Sequence, residues 1–193
     1  MREGKVIRNT KETQIELDLS LDGGEISIST PCGFLNHMLE LLAWHGRFGL
    51  RVKAGGDTEV DYHHLTEDLG ICLGKALSEA LGEKSGIIRF GECVLPMDEA
   101  LVLCAVDISG RAHLEYALNP PTEKTGDFDT SLVKEFFLAM VRAAGVTVHL
   151  RQLSGENSHH ILEAGFKAFA RALRAATRID EDFAGAPSTK GVL

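Results

Sequence analysis

Apolar and polar residues alternate along roughly the first thirty positions of the chain, through VIRNTKETQIELDLSLDGGEISIST. Such alternation on both sides of Asp22-Gly23-Gly24 is typical of two strands joined at a tight turn. We therefore expect a β-hairpin that turns at these three residues.

The period changes in the next segment, PCGFLNHMLELLAWHG. Its apolar residues recur at helical spacing, at Phe34, Met38, Leu41, Leu42 and Trp44. Gly46 is the expected C-terminal cap of this helix. The segment RFGLRVKAGG then predicts a strand, which leads to a second helix that begins near His63.

The second half of the chain repeats these element types. Strands are expected in FGECVL, EALVLCAVDISG and RAHLEYAL, then a helix over TSLVKEFFLAMVRAAG, a strand in GVTVHLRQL, and a helix near His159, which lies 96 residues after His63. This order predicts an α+β fold made by internal duplication, with two similar halves, each a mostly antiparallel sheet covered by two helices. We assign residues 1–86 and 87–180 to the halves, and expect 181–193 to be a flexible tail that contributes to the site.

Composition narrows the class of protein. The 193 residues are 44% hydrophobic and carry a net charge of -8, which argues against non-specific binding to nucleic acid or to anionic membranes. No apolar run approaches the roughly 18 residues that cross a bilayer. The cysteines form no CxxC pair and no signal-peptide pattern is visible, so we expect a cytoplasmic protein with reduced thiols.

The pattern His-His-x-x-Glu occurs twice, each time at the start of an amphipathic helix. Residues three and four apart share a helix face, so Glu67 stands near His63 and His64, and Glu163 stands near the second pair, His159 and His160. Adjacent histidines point about 100° apart, so two metal sites explain the pairs better than one. Imidazole with carboxylate suits Mn, Fe, Co or Zn.

The repeat extends backward to one more residue in each half. His37 lies 26 residues before His63, and Glu135 lies 24 residues before His159, so Glu135 is the counterpart of His37. If the halves combine by pseudo-twofold symmetry, each ion takes residues from both halves. One ligand set is then His37, His64, His159 and Glu163, and the other is Glu135, His160, His63 and Glu67.

The remaining histidines are weaker candidates, since a lone histidine is usually structural. A structural role, or a hydrogen bond to a ligand, is the expected role of His149, and His113 is expected to be an ordinary strand residue. For His45, ligand contact and helix capping both remain open.

Several motifs in order resemble the imidazoleglycerol-phosphate dehydratase family of histidine biosynthesis. They are TKET, FLNHML, HHLTED, RFGE, MDEAL, DISGR, GENSHHILEAGFKAFARAL and STKG, and they run nearly from end to end of the chain. The resemblance implies a dehydratase that converts imidazole glycerol phosphate into imidazole acetol phosphate. It also implies two Mn²⁺ ions per active site and a homo-oligomer of 24 subunits, built from trimers with shared sites.

Residues for the substrate follow partly from chemistry and partly from this resemblance. The phosphate needs cations and hydroxyl donors, and the candidates are Arg89, Arg111, Ser188, Thr189 and Lys190. The resemblance makes Glu12 an active-site acid or base near the glycerol chain.

Several other residues are also candidates for the acid or base that transfers a proton. We count Glu67 and His45 with Glu12 as catalytic candidates, and Asp98 and Glu99 could serve likewise. Many members of the family carry histidine where this chain has Glu135, so the resemblance predicts one site that is richer in carboxylate. Two alternatives stay open: a dinuclear metallohydrolase acting on a small phosphate ester, and a metal-storage or metal-stabilised assembly protein.

Overall fold

A computed structural model describes residues 1–183 and 185–190, and over these residues the chain has an α+β fold. The first half comprises β1 (Glu3–Asn9), β2 (Thr13–Ser20), β3 (Ile26–Ser29), α1 (Gly33–Gly46), β4 (Gly49–Gly56) and α2 (His63–Leu81). The second half comprises β5 (Phe90–Met97), β6 (Ala100–Asp107), β7 (His113–Ala117), the short β8 (Lys124–Thr125) and β9 (Phe128–Asp129), α3 (Leu132–Ala144), β10 (Thr147–Ser154) and α4 (Ser158–Thr177).

The two halves have the same sheet topology. Their four-stranded sheets have the orders β1-β2-β4-β3 and β5-β6-β10-β7. In each sheet the first three strands are antiparallel and the last, β3 or β7, runs parallel to its neighbour. The predicted duplicated α+β fold is confirmed.

The first hairpin differs from the prediction. The chain turns at residues 10–12 between β1 and β2, not at Asp22–Gly24. The segment with the two glycines instead carries the chain past β4, so that β3 pairs with β4 rather than with β2. Gly23 and Gly24 have φ values of 93° and 143°, which suit glycine and explain why the pattern looks like a hairpin turn.

The end of α1 also corrects the sequence analysis. Gly46 is the last helical residue, and Arg47 takes the left-handed conformation at the C-cap, with φ 58°. A Cβ on Gly46 would overlap the ring of Phe48, so close packing accounts for this glycine. Trp44 is 62% exposed and does not belong to the core that its helical spacing suggested.

The helices pair across the two halves, α1 against α4 and α2 against α3. Phenylalanines from α3 and α4 fill the centre, where Phe137 contacts Phe166 with ring centroids 5.0 Å apart. The contact between α2 and α3 is closer, because a Cβ on Gly70 or Gly74 would overlap main-chain atoms of α3. In the described part of the chain, no helix is long and apolar enough to span a membrane.

Candidate active site

A cluster of potential metal ligands lies where α1 meets α4. His37 Nε2 is 3.3 Å, and His159 Nε2 is 3.0 Å, from the same Glu163 oxygen. One ligand atom of each residue lies within 4.8 Å of the others. His159 and Glu163 meet because they are four residues apart on α4, and the pairing of helices across the halves adds His37.

Glu163 is the buried member of the cluster, with 6% exposure. Lys167, one turn further along α4, lies 2.5 Å from the other carboxylate oxygen. Burial opposes the charge on Glu163, but Lys167 and the two imidazoles together keep the pKa of this carboxyl below its ordinary value. The carboxylate is therefore ionised and competent to bind a cation.

The second histidine of each pair is held by a carboxylate. His64 Nδ1 lies 2.9 Å from Asp57 Oδ2, and His160 Nδ1 lies 2.7 Å from Glu99 Oε2. These hydrogen bonds raise the pKa of both histidines, and that of Glu99 falls to about 2. A carboxylate on one ring nitrogen orients the other toward a metal, so both side chains present Nε2 for ligation.

Hairpin turns place further carboxylates beside these Nε2 atoms. Glu12, in the β1–β2 turn, lies 3.9 Å from Nε2 of His64. Asp98, in the β5–β6 turn, lies 3.7 Å from Nε2 of His160. The two turns occupy equivalent places in the duplicated fold, which makes Asp98 the counterpart of Glu12.

Hydrogen bonds fix the turn that carries Glu12. The Thr10 hydroxyl accepts the backbone N–H groups of Glu12 and Thr13, at 3.1 and 2.9 Å. The buried hydroxyl of Thr13 donates to Asp68 at 2.5 Å, and Arg8 lies 2.8 Å from the other oxygen of Asp68. This network joins the turn to α2, which carries His64.

The predicted ligand sets are only partly assembled within one chain. Three of the four residues in the first predicted ligand set form the cluster, but the fourth, His64, lies near Asp57 and Glu12 instead. From the second set, His63 and Glu67 form a pair at 4.0 Å, while the half-buried Glu135 is not part of any ligand cluster within the described residues. His63 and the first turn of α3, the helix that carries Glu135, line the same cavity of about 480 Å³.

Aromatic rings lie beside both groups of potential ligands. Phe34 lies edge-on to His159, with ring centroids 5.6 Å apart, and stacks on Phe128 at 4.9 Å. Tyr62, the residue before His63, also stacks on Phe128, with ring centroids 6.3 Å apart. The fully buried Phe128 of β9 thus contacts an aromatic ring beside each group of ligands.

All five predicted phosphate ligands line one open cleft, with a volume of about 1110 Å³. Arg89 binds Asp107 through Nε at 2.7 Å and the carbonyl of Pro187 through Nη1 at 2.8 Å, which holds the C-terminal segment against the cleft. Arg111 is far more exposed, at 68% of its side chain. Ser188, Thr189 and Lys190 line the same cleft.

The cleft is far from the histidine cluster of the same chain. The backbone N–H of Arg89 bonds the carbonyl of Ala176, near the end of α4, whereas His159 lies at its start. At a rise of 1.5 Å per residue, the two ends are about 25 Å apart. A three-carbon chain between an imidazole ring and a phosphate spans about 10 Å at most, so one substrate cannot reach both within one chain.

The remaining histidines lie outside the cluster. His45 is half-buried, two turns beyond His37, and burial, followed by Lys167 and Arg171, lowers its pKa. His149 is exposed and packs near His113, with ring centroids 5.7 Å apart, on the face of the second sheet away from the helices.

Sequence reasoning missed several residues that shape the site, namely Asp57, Asp68, Thr13 and Lys167. Lys167 had a signal, because it lies four residues after Glu163 on the same face of α4. The role of Asp57 depends on a loop conformation that spacing alone does not reveal.

The donor chemistry of the cluster fits a divalent metal ion. Ligand atoms at about 2.0–2.2 Å from one ion lie up to about 4.4 Å apart, close to the 4.8 Å seen without an ion. Two imidazoles and an ionised carboxylate are suitable ligands for manganese, iron or zinc.

The duplicated fold, the histidine–carboxylate cluster and the separate basic cleft together define a candidate metal-dependent enzyme. A family model, imidazoleglycerol-phosphate dehydratase, matches residues 30–173. The chain belongs to the imidazoleglycerol-phosphate dehydratase family and is an enzyme of the dehydratase class.

Individual relatives agree over the full length. Imidazoleglycerol-phosphate dehydratases of Prochlorococcus marinus and a Synechococcus species are 57% and 56% identical, covering 100% of this chain and 93% and 97% of the relatives. The crystal structure of the Staphylococcus aureus enzyme superposes with a TM-score of 0.84 at 42% identity, covering 92% of this chain and 99% of that one. The crystal structure of the Pyrococcus furiosus enzyme superposes with a TM-score of 0.86 at 43% identity, covering 97% of this chain and 100% of that one.

Proposed function

We propose that this enzyme removes water from imidazole glycerol phosphate to give imidazole acetol phosphate in histidine biosynthesis, at a site that holds two Mn²⁺ ions. The cluster of His37, His159 and Glu163 carries the proposal, because its donor atoms converge as a metal site requires. The family match supports the substrate.

Each ion takes its ligands from a pair of packed helices and one further histidine. The first set is His37, His159 and Glu163, completed by His64 of the partner subunit. The second is Glu135, His63 and Glu67, completed by His160 of the partner subunit. Divalent ions held by these residues would supply Lewis-acid charge for the loss of the hydroxyl.

The distance between the cleft and the cluster supports the proposal that sites are shared between subunits. Because about 25 Å separates the two ends of α4, the phosphate in one chain's cleft and the imidazole at that chain's cluster belong to different substrate molecules. In the proposed 24-subunit particle built from trimers, neighbouring subunits would bring cleft and cluster together.

Different residues of the chain bind the phosphate and transfer the proton. Arg111 and Lys190 bind and orient the phosphate by charge, while the ion pair with Asp107 fixes Arg89. Glu12 has 54% side-chain exposure and is held by its turn, so it can take or return a proton at the glycerol carbons. Asp98 offers a second carboxylate in the equivalent position.

Product analysis tests the reaction. The protein is stripped of metal, reloaded with Mn²⁺ and given imidazole glycerol phosphate, and both the ketone product and inorganic phosphate are measured. We expect ketone without phosphate, and no turnover after His159→Ala. Release of inorganic phosphate would identify a metallohydrolase, and metal binding without turnover of substrate would favour a storage or assembly role.

Mixing two inactive variants tests the sharing of sites. Arg111→Ala removes a cleft residue and His159→Ala removes a cluster residue. If cleft and cluster come from different subunits, particles reassembled from both variants regain part of the activity, because some sites contain neither substitution. Mixed particles as inactive as each variant alone would place the whole site within one chain.

A further inference from the structure

A second basic surface lies on α4, apart from the cleft of Arg89 and Arg111. Arg171, Arg174 and Arg178 are exposed and, together with His45 of α1, line a groove of about 240 Å³, here named the α4 groove. Within residues 1–183 and 185–190, these three guanidinium groups have no hydrogen bond or ion pair. Cationic side chains thus converge on a concave surface without a carboxylate between them.

The first half of the chain shows that the fold does not need these charges. Positions 96 residues earlier carry Lys75 and Ser78 on α2, and Gly82 just beyond its end, in place of the three arginines. The equivalent helix therefore keeps its place in the fold with a single cation. The three arginines occur in the second half alone, so they are not a by-product of the duplicated architecture.

The arrangement also costs stability in the absence of a ligand. Like charges three or four residues apart on a helix destabilise it. Arg171 and Arg174 have that spacing on α4, and Arg178 adds a third positive charge at the residue that follows the helix. The helix dipole favours cations in the last turn only, which accounts for Arg174 of α4 and His45 of α1 but leaves Arg171 unexplained. An anion bound between the side chains would offset the repulsion.

We propose that the α4 groove binds a phosphate group, at a site separate from the substrate's phosphate cleft. Arginine presents a planar fork of donors that matches phosphate oxygens, and three forks facing one groove suit a dianion. The groove and the cleft have no lining residue in common. At 100° per residue, Arg171 and Arg174 lie on a different face of α4 from Ala172 and Ala176, which pack toward β5.

The groove is also separate from the histidine cluster. Arg171 and Arg178 lie eight and fifteen residues after Glu163, which places them about 12 and 22 Å further along α4. The groove shares no residue with this cluster or with the cleft. Substitutions in the groove and in the cleft can therefore test the two phosphate sites separately.

Calorimetric titration of the manganese-loaded, desalted enzyme with inorganic phosphate tests this site. We expect two phosphate sites per subunit. The double variant Arg174→Ala/Arg178→Ala should lose one of them, with affinity falling at least about tenfold, and Arg111→Ala should lose the other. Lys75→Ala, at the first-half counterpart of Arg171, should retain both sites.

Titration with glycerol 3-phosphate separates the two sources of such a group. Similar affinity for the ester and for phosphate marks a site for phosphorylated metabolites, and weaker binding of the ester marks a site for free phosphate. Unchanged phosphate binding in the double variant would overturn the proposal. A smaller particle mass for that variant in light scattering would also overturn it, because the groove would then be a contact between subunits.

Discussion

Replacing Thr13 by valine tests whether the buried network positions Glu12. Thr13 is fully buried, and its hydroxyl donates to Asp68 at 2.5 Å. Since this single proton goes to Asp68, the Thr10 hydroxyl, 3.2 Å away, is the donor to Thr13. Valine has the same shape without the hydroxyl, so it breaks both bonds and leaves one Asp68 oxygen with no donor.

The expected cost follows from the charge on Asp68. A hydrogen bond to a charged group contributes about 1.5–3 kcal/mol, and Asp68 is only 7% exposed, so we expect Thr13→Val to lower the free energy of unfolding by about 2 kcal/mol. In a chain of this size that shifts Tm by about 4–8 °C. Thr13→Ser keeps the hydroxyl and loses one methyl group, so we expect it to lower the free energy of unfolding by only about 1 kcal/mol.

Activity provides the second measurement, because the same bonds shape the turn that carries Glu12. With manganese bound, we expect kcat of Thr13→Val to fall about tenfold while KM changes little, and Thr13→Ser to keep most of kcat. Unfolding is compared at equal subunit concentration, since assembly contributes to stability. An unchanged Tm in Thr13→Val would refute the network, and a lower Tm with unchanged kcat would refute its link to Glu12.

Three further predictions concern metal and pH. Elemental analysis after reconstitution should find close to two divalent ions per chain with a preference for manganese, and a result of one ion per chain would contradict the two-site model. Chelation should reduce the particle mass in light scattering toward that of trimers. A mass that does not depend on the chelator would contradict the link between metal and assembly. Glu135→Ala should weaken one metal site and lower activity while Glu135→His retains much of both, and His149→Ala should leave metal stoichiometry unchanged. In metal-free protein, the Glu99–His160 pair should stabilise most between the ordinary pKa values of 4.5 and 6.5. Its contribution should fade as pH rises through the raised pKa of His160 or falls toward about 2, and a Glu99→Gln variant should flatten this profile of unfolding midpoints.

Local patterns in the sequence predicted most of the secondary structure. Periodicity located all four helices of the described residues and the repeat of 96 residues, because each helix buries one face and each histidine pair begins a helix. Spacing also identified His159 with Glu163. The joining of His37 to them required the pairing of α1 with α4, which depends on how the two halves pack.

Non-local pairing explains the errors. The alternation around Gly23 and Gly24 is the same whether the following strand pairs with its predecessor or passes it, so the sequence could not show that β4 lies between β2 and β3. Trp44 has the spacing of a core residue, but the register of α1 on α4 leaves it exposed. Under the proposed sharing of sites, the incomplete ligand sets have a different cause, since spacing within one chain carries no information about neighbouring subunits.

Gly70 and Gly74 constrain how the two halves can diverge by mutation. Any side chain at either position would force α2 away from Phe136 or Met140 of α3, although neither glycine touches a candidate ligand. The corresponding positions of α4 carry Phe166 and Ala170, so the helix pairs are no longer interchangeable copies. A chimera with α4 grafted in place of α2 would keep every histidine and glutamate of the repeated motif and still separate the helices that carry them.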